Sequence, residues 1–368
     1  MMDSSEIRIG RSKADLDTPA LLVDLDIMDA NIRRITETCR AHGVAWRPHI
    51  KGQKAPDIVR KEVQAGAIGI TCAKLGEAEI MAAAGFKNIL IANQIVGAIK
   101  VRRLLDLCEC ADPIVAVDGT ENVLELAKAA HSRGRRLRVV IEVNIGMNRA
   151  GVAPGLPVRG LAAAIAEHPG LQLVGLMGWE SHAVMLADPG EKERTIRLAI
   201  GELTASADAC RQAGHRIEIV SCGGTGTFPV CVQQPGITEV QVGGGIFGDL
   251  HYRNHYHVDF PCALSLLATV TSRPTPTRIV LDAGKKAMSG DAAMPEPIGI
   301  AGVSNLRLSA EHATIELTAP NNTVRVGGRV ELQVGYGDTT VHLHDEIVGM
   351  RRGRVEVIWP ITARGKLK

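Results

Sequence analysis

Four stretches of this 368-residue sequence, two of them forming a pair, combine residue types and spacings that could do chemistry. The first is Trp46-Arg47-Pro48-His49-Ile50-Lys51. Pro48 has no amide hydrogen and biases Arg47 away from helix, so the run is extended and Lys51 falls at or just past a strand end. An amine held there can trap a carbonyl; a lysine that has merely reached solvent would look the same. The second and third are a pair of glycine-rich loops, Ser221-Cys222-Gly223-Gly224-Thr225-Gly226-Thr227 and Val242-Gly243-Gly244-Gly245. Glycine lets backbone amides approach an anion closely, although tight turns use it as readily. The fourth, His251-Tyr252-Arg253-Asn254-His255-Tyr256-His257, is dense enough to select a carboxylate or to close an interface.

The elements that must position these residues are legible as alternating apolar runs and helix-like stretches. A lead-in strand at 18–26 and a helix at 28–42 precede Lys51. After the Lys51 strand, compact apolar runs recur at 68–73, 88–93, 113–118, 138–143, 173–179, 218–223 and 238–243. Most are separated by Ala-, Leu-, Glu- and Arg-rich segments such as 76–84, 120–133 and 191–213. Strands apolar on both faces, separated by helices, predict a parallel sheet under helices, and eight of them predict a (β/α)8 barrel over 18–258. Beyond 259 the pattern changes to alternating runs joined by Gly, Pro and Asn turns, at 263–272, 278–282, 314–317, 324–326, 329–334 and 354–359. Residues 1–17 with 259–368 are therefore expected to form a second, mostly β domain.

Composition narrows the function classes. A net charge of +2 with no basic stripe argues against nucleic acid and against an anionic membrane surface. The first residues lack the apolar core of a signal peptide and no stretch reaches membrane-spanning length, so a cytoplasmic protein is expected. The eight cysteines are scattered without CxxC spacing and are expected to be reduced and structural.

In a barrel of this kind the active site forms at the C-terminal ends of the strands, and the loops after the seventh and eighth strands commonly hold phosphate. Lys51 would follow the first strand, and the two glycine loops would follow the seventh and eighth. An amine facing a phosphate cradle describes a pyridoxal 5'-phosphate (PLP) site, the lysine forming the Schiff base and the cofactor acting as electron sink.

Seven motifs, in order along the chain, now carry a resemblance: Asp17-Thr18-Pro19, Arg47-Pro48-His49-Ile50-Lys51, Gly76-Glu77-Ala78-Glu79, Gly146-Met147-Asn148-Arg149-Ala150-Gly151, the 221–227 loop, Asp282-Ala283-Gly284 and Trp359-Pro360. Over about residues 15–368 the chain resembles the D-threonine aldolase and D-serine dehydratase family, whose fold is alanine racemase-like (fold type III). The resemblance implies that Lys51 carries PLP and that Arg149 faces the cofactor's phenolic oxygen. It implies that Gly224, Thr225 and Gly243 hold phosphate, with Gly223, Gly226 and Gly244 in the same loops and His49 in the lysine motif. It further implies an amino acid substrate and a head-to-tail homodimer in which one protomer's small domain closes the other's site.

The group that chooses which bond breaks is where this sequence departs from the family. The family pattern of histidine, one residue, then Asp or Cys binds a divalent metal, manganese or magnesium; here the stretch reads Gly335-Tyr336-Gly337-Asp338. Tyr336 is a poor ligand at neutral pH, leaving Asp338 as the candidate metal residue and His342 and His344, on one face of an expected strand, as substitute ligands. The family's Lys-Thr-His-Lys is Lys51-Gly52-Gln53-Lys54, and Trp179 stands where a tyrosine is usual, able to wall the cofactor but not to move a proton. Glu180 and His182 follow the sixth strand and are candidates to contact substrate, His182 as an acid/base near neutral pH.

The reading is a PLP-dependent lyase cleaving D-β-hydroxy amino acids to glycine and an aldehyde. A D-serine or D-3-hydroxyaspartate dehydratase stays open, as does a racemase with Lys51 and Tyr336 as its two bases. A PLP-binding homeostasis protein without turnover is the alternative of another class.

Overall fold

The computed structural model describes residues 8–368. After β1 (Ala20–Asp24) and the helix Leu25–Ala41 come β2 (Ala45–Trp46), β3 (Ile70–Cys72), β4 (Asn88–Gln94), β5 (Asp112–Val117), β6 (Leu137–Val143), β7 (Leu171–Gly178), β8 (Ile219–Cys222) and β9 (Glu239–Val240). β2 to β9 form one parallel sheet in the order β2-β9-β8-β7-β6-β5-β4-β3. Its two edges meet where His49 bridges Thr71: Ile50 donates to the Thr71 carbonyl and Thr71 to the Pro48 carbonyl, both at 2.8 Å. This is the expected (β/α)8 barrel, with all eight strands at their expected places.

The strands are short, and β3 and β8 are buried along their whole length, as parallel strands under helices must be. Leu90, Ile114, Ala116, Val140, Val174, Met177 and Ile219 form one buried cluster across neighbouring strands. Truncating one of the larger of them to alanine should cost about 2–5 kcal/mol. The long helix Pro189–Gln212 starts where its sequence says it should, with Pro189 in the first turn and the Asp188 carboxylate accepting the Glu191 amide at 2.6 Å.

β1 belongs to the other sheet. It pairs antiparallel with β10 (Leu264–Thr275) and parallel with the strand Glu346–Arg351, burying Leu21, Leu22 and Val23. Two compact units result, one of residues up to Ile32 with Gly52–Ile58 and Gly244–Arg364, the other of Arg33–Lys51, Val59–Gly243 and Gly365–Lys368. The sequence reading put 18–258 in one domain and 1–17 with 259–368 in the other; β1 falls with the latter group because its backbone partners lie in the second sheet, and 52–58 and 244–258 fall with it too.

That sheet is mostly antiparallel and includes Arg278–Leu281, Ala313–Leu317, Arg329–Gln333 and Arg354–Pro360, close to four of the expected runs. The expected strand at 324–326 is a loop: Asn321 Oδ1 accepts the amides of Thr323 and Val324, and Arg273 takes the carbonyls of Asn321 and Val324, so side chains satisfy the backbone a sheet would have used. Val303–Leu308 and Glu346–Arg351 are strands that the sequence pattern did not single out. No disulfide links any of the eight cysteines. Among the described residues no helix is long and apolar enough to cross a membrane.

Candidate active site

Lys51 follows directly on the bridge that closes the barrel, and its side chain is exposed. Its backbone amide faces His49 Nδ1 at 3.4 Å. The loop after β9 is locked to the same segment: Trp46 Nε1 donates to the Val242 carbonyl at 2.7 Å, and a Cβ on Gly243 would lie 2.0 Å from the His49 carbonyl oxygen. Only glycine permits that approach, so the Gly243 loop and the lysine segment share one backbone surface. Arg47 has another purpose. It is buried in an ion pair with Glu239 at 2.8 Å and donates to Asn88 Oδ1 at 2.8 Å, tying together the first residues of β9 and β4.

The loop after β8 is built from within. Gly223 has φ +76°, and the Trp179 indole packs on Gly224. Glu180, expected to contact substrate, is instead fully buried. Thr227 donates its hydroxyl to the Glu180 carboxyl, with the Cys231 thiol and the Gly223 amide each at 3.5 Å, and the Gly224 amide donates to Thr227 Oγ1 at 3.0 Å. Burial raises the proton affinity of Glu180 and, beside it, of Cys222 and Cys231. Glu180 thus shapes the glycine loop from behind.

Thr225, Gly226 and Gly243 are buried, yet among the described residues no acceptor takes their amides. Buried amides are nearly always paired, so such donors on two adjoining barrel loops fit an anion such as the phosphate of PLP. An exposed lysine on the barrel segment that Gly243 touches completes the fit.

Arg149 and Trp179 line one small crevice together with Glu142, Asn144 and Met147. The Arg149 guanidinium, more than half exposed, stands 3.9 Å from Glu142, a buried carboxyl whose proton affinity is raised by burial and which accepts Gln94 Nε2 at 2.6 Å. The turn carrying Arg149 is folded by Asn144, whose Oδ1 accepts the amides of Gly146 and Asn148. His182, exposed, lies over Gly146, where a Cβ would stand 2.6 Å from its ring. The sequence reading missed Glu142, since nothing in the run Val140-Ile141-Glu142-Val143 marks it beyond a carboxylate in an apolar strand.

In the other unit, Gly244 touches Tyr252, a Cβ at 244 falling 2.4 Å from the phenolic oxygen. Asp249 caps the helix Leu250–Asn254 by accepting the Tyr252 amide at 2.8 Å and, through its other oxygen, accepts the Gly337 amide at 2.8 Å. Burial pushes this carboxyl up to about 7. The polar aromatic cluster and the Tyr336 turn are thereby one assembly: His251 donates its amide to the Gly335 carbonyl at 2.8 Å, and its ring meets those of Tyr256 and Tyr336 edge-on at 4.6 and 5.0 Å. Asp249 escaped the sequence reading, although an aspartate just before a helix start is a capping signal.

The side chains here do not fit a divalent cation. Tyr336 donates to Asp338 Oδ2 at 3.1 Å, and burial raises the phenol's proton affinity well above its usual value, so the oxygen that would have to bind a metal keeps its proton. The expected strand carrying His342 and His344 is the end of a short helix, Gly337–Val341, and the turn after it; His344 Nε2 lies 2.7 Å from the Ala287 carbonyl. Among the described residues the cluster of three ligand atoms close enough for an ion is Glu180, Cys222 and Cys231, which lacks Asp338 and is already hydrogen-bonded internally.

The alanine racemase N-terminal domain family matches residues 23–251, and a serine dehydratase domain family matches 263–350. A D-threonine aldolase of Arthrobacter sp is 33% identical, covering 97% of this chain and 95% of that protein. A 3-hydroxy-D-aspartate aldolase of Paracoccus denitrificans (strain Pd 1222) is 31% identical over 97% and 94%. The crystal structure of D-threonine aldolase from Filomicrobium marinum superposes with a TM-score of 0.94 at 34% identity, covering 98% of this chain and 99% of that one. The chain belongs to the alanine racemase-like, fold type III family, in the group that holds the D-threonine and 3-hydroxy-D-aspartate aldolases.

Proposed function

We propose that this chain is a PLP-dependent lyase that cleaves D-β-hydroxy amino acids to glycine and an aldehyde. The observation that carries the reading is an exposed Lys51 together with the amides of buried residues on both adjoining glycine loops, for which no acceptor is found among the described residues. Full-length similarity to two kinds of aldolase supports it.

When bound, the cofactor supplies an electron sink for the pair left on Cα as the Cα–Cβ bond breaks. Lys51 Nζ would hold the cofactor's carbonyl carbon, and the amides of Thr225, Gly226 and Gly243 would hold its phosphate. The Arg149 guanidinium would face the ring oxygen, where a fixed cation would stabilise negative charge. Trp179 walls the site beside Arg149. The Lys51 amine would also serve as the base at Cα and return a proton there to complete glycine. His182 contacts the substrate from the turn after β7. A homodimer is proposed for the assembly.

A dehydratase is the second reading, supported by 32% identity over 75% of this chain to a D-threo-3-hydroxyaspartate dehydratase of Delftia sp. (strain HT23). Incubation with D-phenylserine, D-threonine and D-3-hydroxyaspartate separates the two: the lyase releases glycine with an aldehyde, the dehydratase ammonia with a 2-oxo acid. The Lys51→Ala variant should retain the fold by circular dichroism and lose both the cofactor's visible band and turnover. Turnover persisting in that variant would overturn the assignment.

A further inference from the structure

Gly52 and Tyr336, two positions at which this chain departs from the family pattern, converge on one carboxylate. A Cβ on residue 52 would lie 2.7 Å from Asp338 Oδ1 and 3.7 Å from its Cγ, while Oδ2 accepts the Tyr336 hydroxyl at 3.1 Å. Asp338 is therefore held between the backbone of the residue peptide-bonded to Lys51 and the phenol. A threonine at 52 would overlap its present position.

The phenol is itself fixed. The His251 ring meets it edge-on at 5.0 Å and the Tyr252 ring at 6.2 Å, and His251 Nδ1 lies 3.0 Å from His255 Nδ1. Asp249 and His251 pin the backbone on either side, at Gly337 and Gly335. A metal held between residues 336 and 338 would have to break the Tyr336–Asp338 hydrogen bond and put nothing better in its place, because a protonated phenol is a poor ligand.

We propose that the Tyr336–Asp338 pair replaces a metal as the group that binds the substrate's β-hydroxyl, so that this enzyme cleaves its substrate without a divalent cation. The inference rests on the aldolase reading. In the step, the β-hydroxyl proton passes to Tyr336 Oη as the phenol's own proton moves to Asp338 Oδ2. The Cα–Cβ bond breaks, its electron pair stays with Cα, which takes up a proton, and Cβ becomes the aldehyde carbon. Nothing is oxidised or reduced, and Asp338 returns its proton to solvent. Tyr336 is the catalytic residue, Asp338 the positioning residue that acts through it, and Gly52 leaves the room Asp338 needs.

The test uses the full chain loaded with PLP and dialysed against chelator. Manganese(II) titration followed by electron paramagnetic resonance, with metal analysis of the protein as purified, should find no stoichiometric ion, and the rate of D-phenylserine cleavage should be the same with chelator and with manganese. Tyr336→Phe should keep the cofactor band and lower kcat by about 100-fold or more. Asp338→Asn should lower kcat with little change in KM, and Gly52→Ala, which displaces the carboxylate, should do the same. Tyr336→His should begin to bind manganese.

One manganese per wild-type chain, with activity lost on chelation, would overturn the proposal, and so would a Tyr336→Phe variant as active as the parent. If no D-β-hydroxy amino acid yields glycine, the aldolase reading fails instead, and the resonance titration still decides whether residues 336 and 338 hold a metal.

Discussion

Trp179 lies across Gly224 so closely that a Cβ on residue 224 would stand 1.9 Å from Cη2 of the indole. The ring atoms are anchored in a bulky side chain and cannot yield cheaply, so the glycine is required by packing as well as by the need for bare backbone at an anion site. Gly224→Ala is expected to push the loop and the indole apart, at about 1–3 kcal/mol of packing strain. The cofactor should then bind about tenfold or more weakly, each tenfold being about 1.4 kcal/mol. Titrating the apoprotein with PLP and following the visible band checks this. Affinity equal to the parent's would mean that Gly224 takes no part in the cradle.

Glu180 supports the same loop from the other side. Replacing it with alanine removes the acceptor of the Thr227 hydroxyl in a fully buried place and leaves that hydroxyl only the longer contact to the Gly224 carbonyl at 3.3 Å, at about 1–3 kcal/mol in all. Glu180→Gln keeps an oxygen for Thr227 and replaces a carboxyl that burial already drives toward the neutral form, so it should stay within about 1 kcal/mol of the parent. Urea unfolding of the two variants distinguishes these outcomes. A glutamine variant as unstable as the alanine one would show that Glu180 is held as a carboxylate.

The barrel was legible because its signal is cumulative. Eight extended runs, most of them set apart by helix-like segments, survive an error of a residue or two at each end, and each was found close to its place. Lys51 and the glycine loops were legible for a related reason: their backbone requirements are written as residue types, proline before an extended segment and glycine where a Cβ would collide. Glu180 was not legible. A glutamate one residue past a strand end reads the same whether it turns toward substrate or toward a buried threonine, and only the packing of 223–231 decides. β1 was found as a strand but its sheet was not, because an apolar run of that length suits either sheet until its hydrogen-bonding partners are known. His342 and His344 alternate as a strand would have them, yet Tyr336 heads a helical turn over Gly337–Val341 whose end sets their directions.

Arg47 sits in the most recognisable motif of the chain, four residues before the lysine, yet its side chain makes a buried pair with Glu239 at 2.8 Å, both side chains about 3% exposed. Removing one partner leaves the other charge buried without compensation, which costs about 3–5 kcal/mol, whereas removing both can be far milder. Arg47→Met and Glu239→Leu should each lower stability by that amount, and the double variant should recover most of the loss. A double-mutant cycle in urea measures this. The folded fraction of each should keep the cofactor band, since the pair ties β9 and β4 together and does not reach the glycine loops; a variant that folds stably but cannot bind PLP would contradict that division of labour.

Asp249 gives the protein a dependence on pH that can be assigned in advance. Its carboxyl accepts the amides of Tyr252 and Gly337, both of which favour the charged form, but burial outweighs them and raises it from 3.8 to about 7. A raised carboxyl means that the folded state binds a proton the unfolded chain has already released, so its contribution to stability is complete below the unfolded value and declines as pH rises, levelling off above about 7. Asp249→Asn has no such proton. Its Nδ2 cannot accept the Gly337 amide, which lowers stability at every pH by about 1–3 kcal/mol. Measured against the parent, that deficit should be largest near about pH 5 and shrink toward about pH 7.5, where the parent too has lost the benefit of its neutral carboxyl. Thermal melts of both proteins across this range test the sign directly: a deficit that grows with pH would mean that Asp249 is already ionised in the fold, its two amide donors outweighing burial.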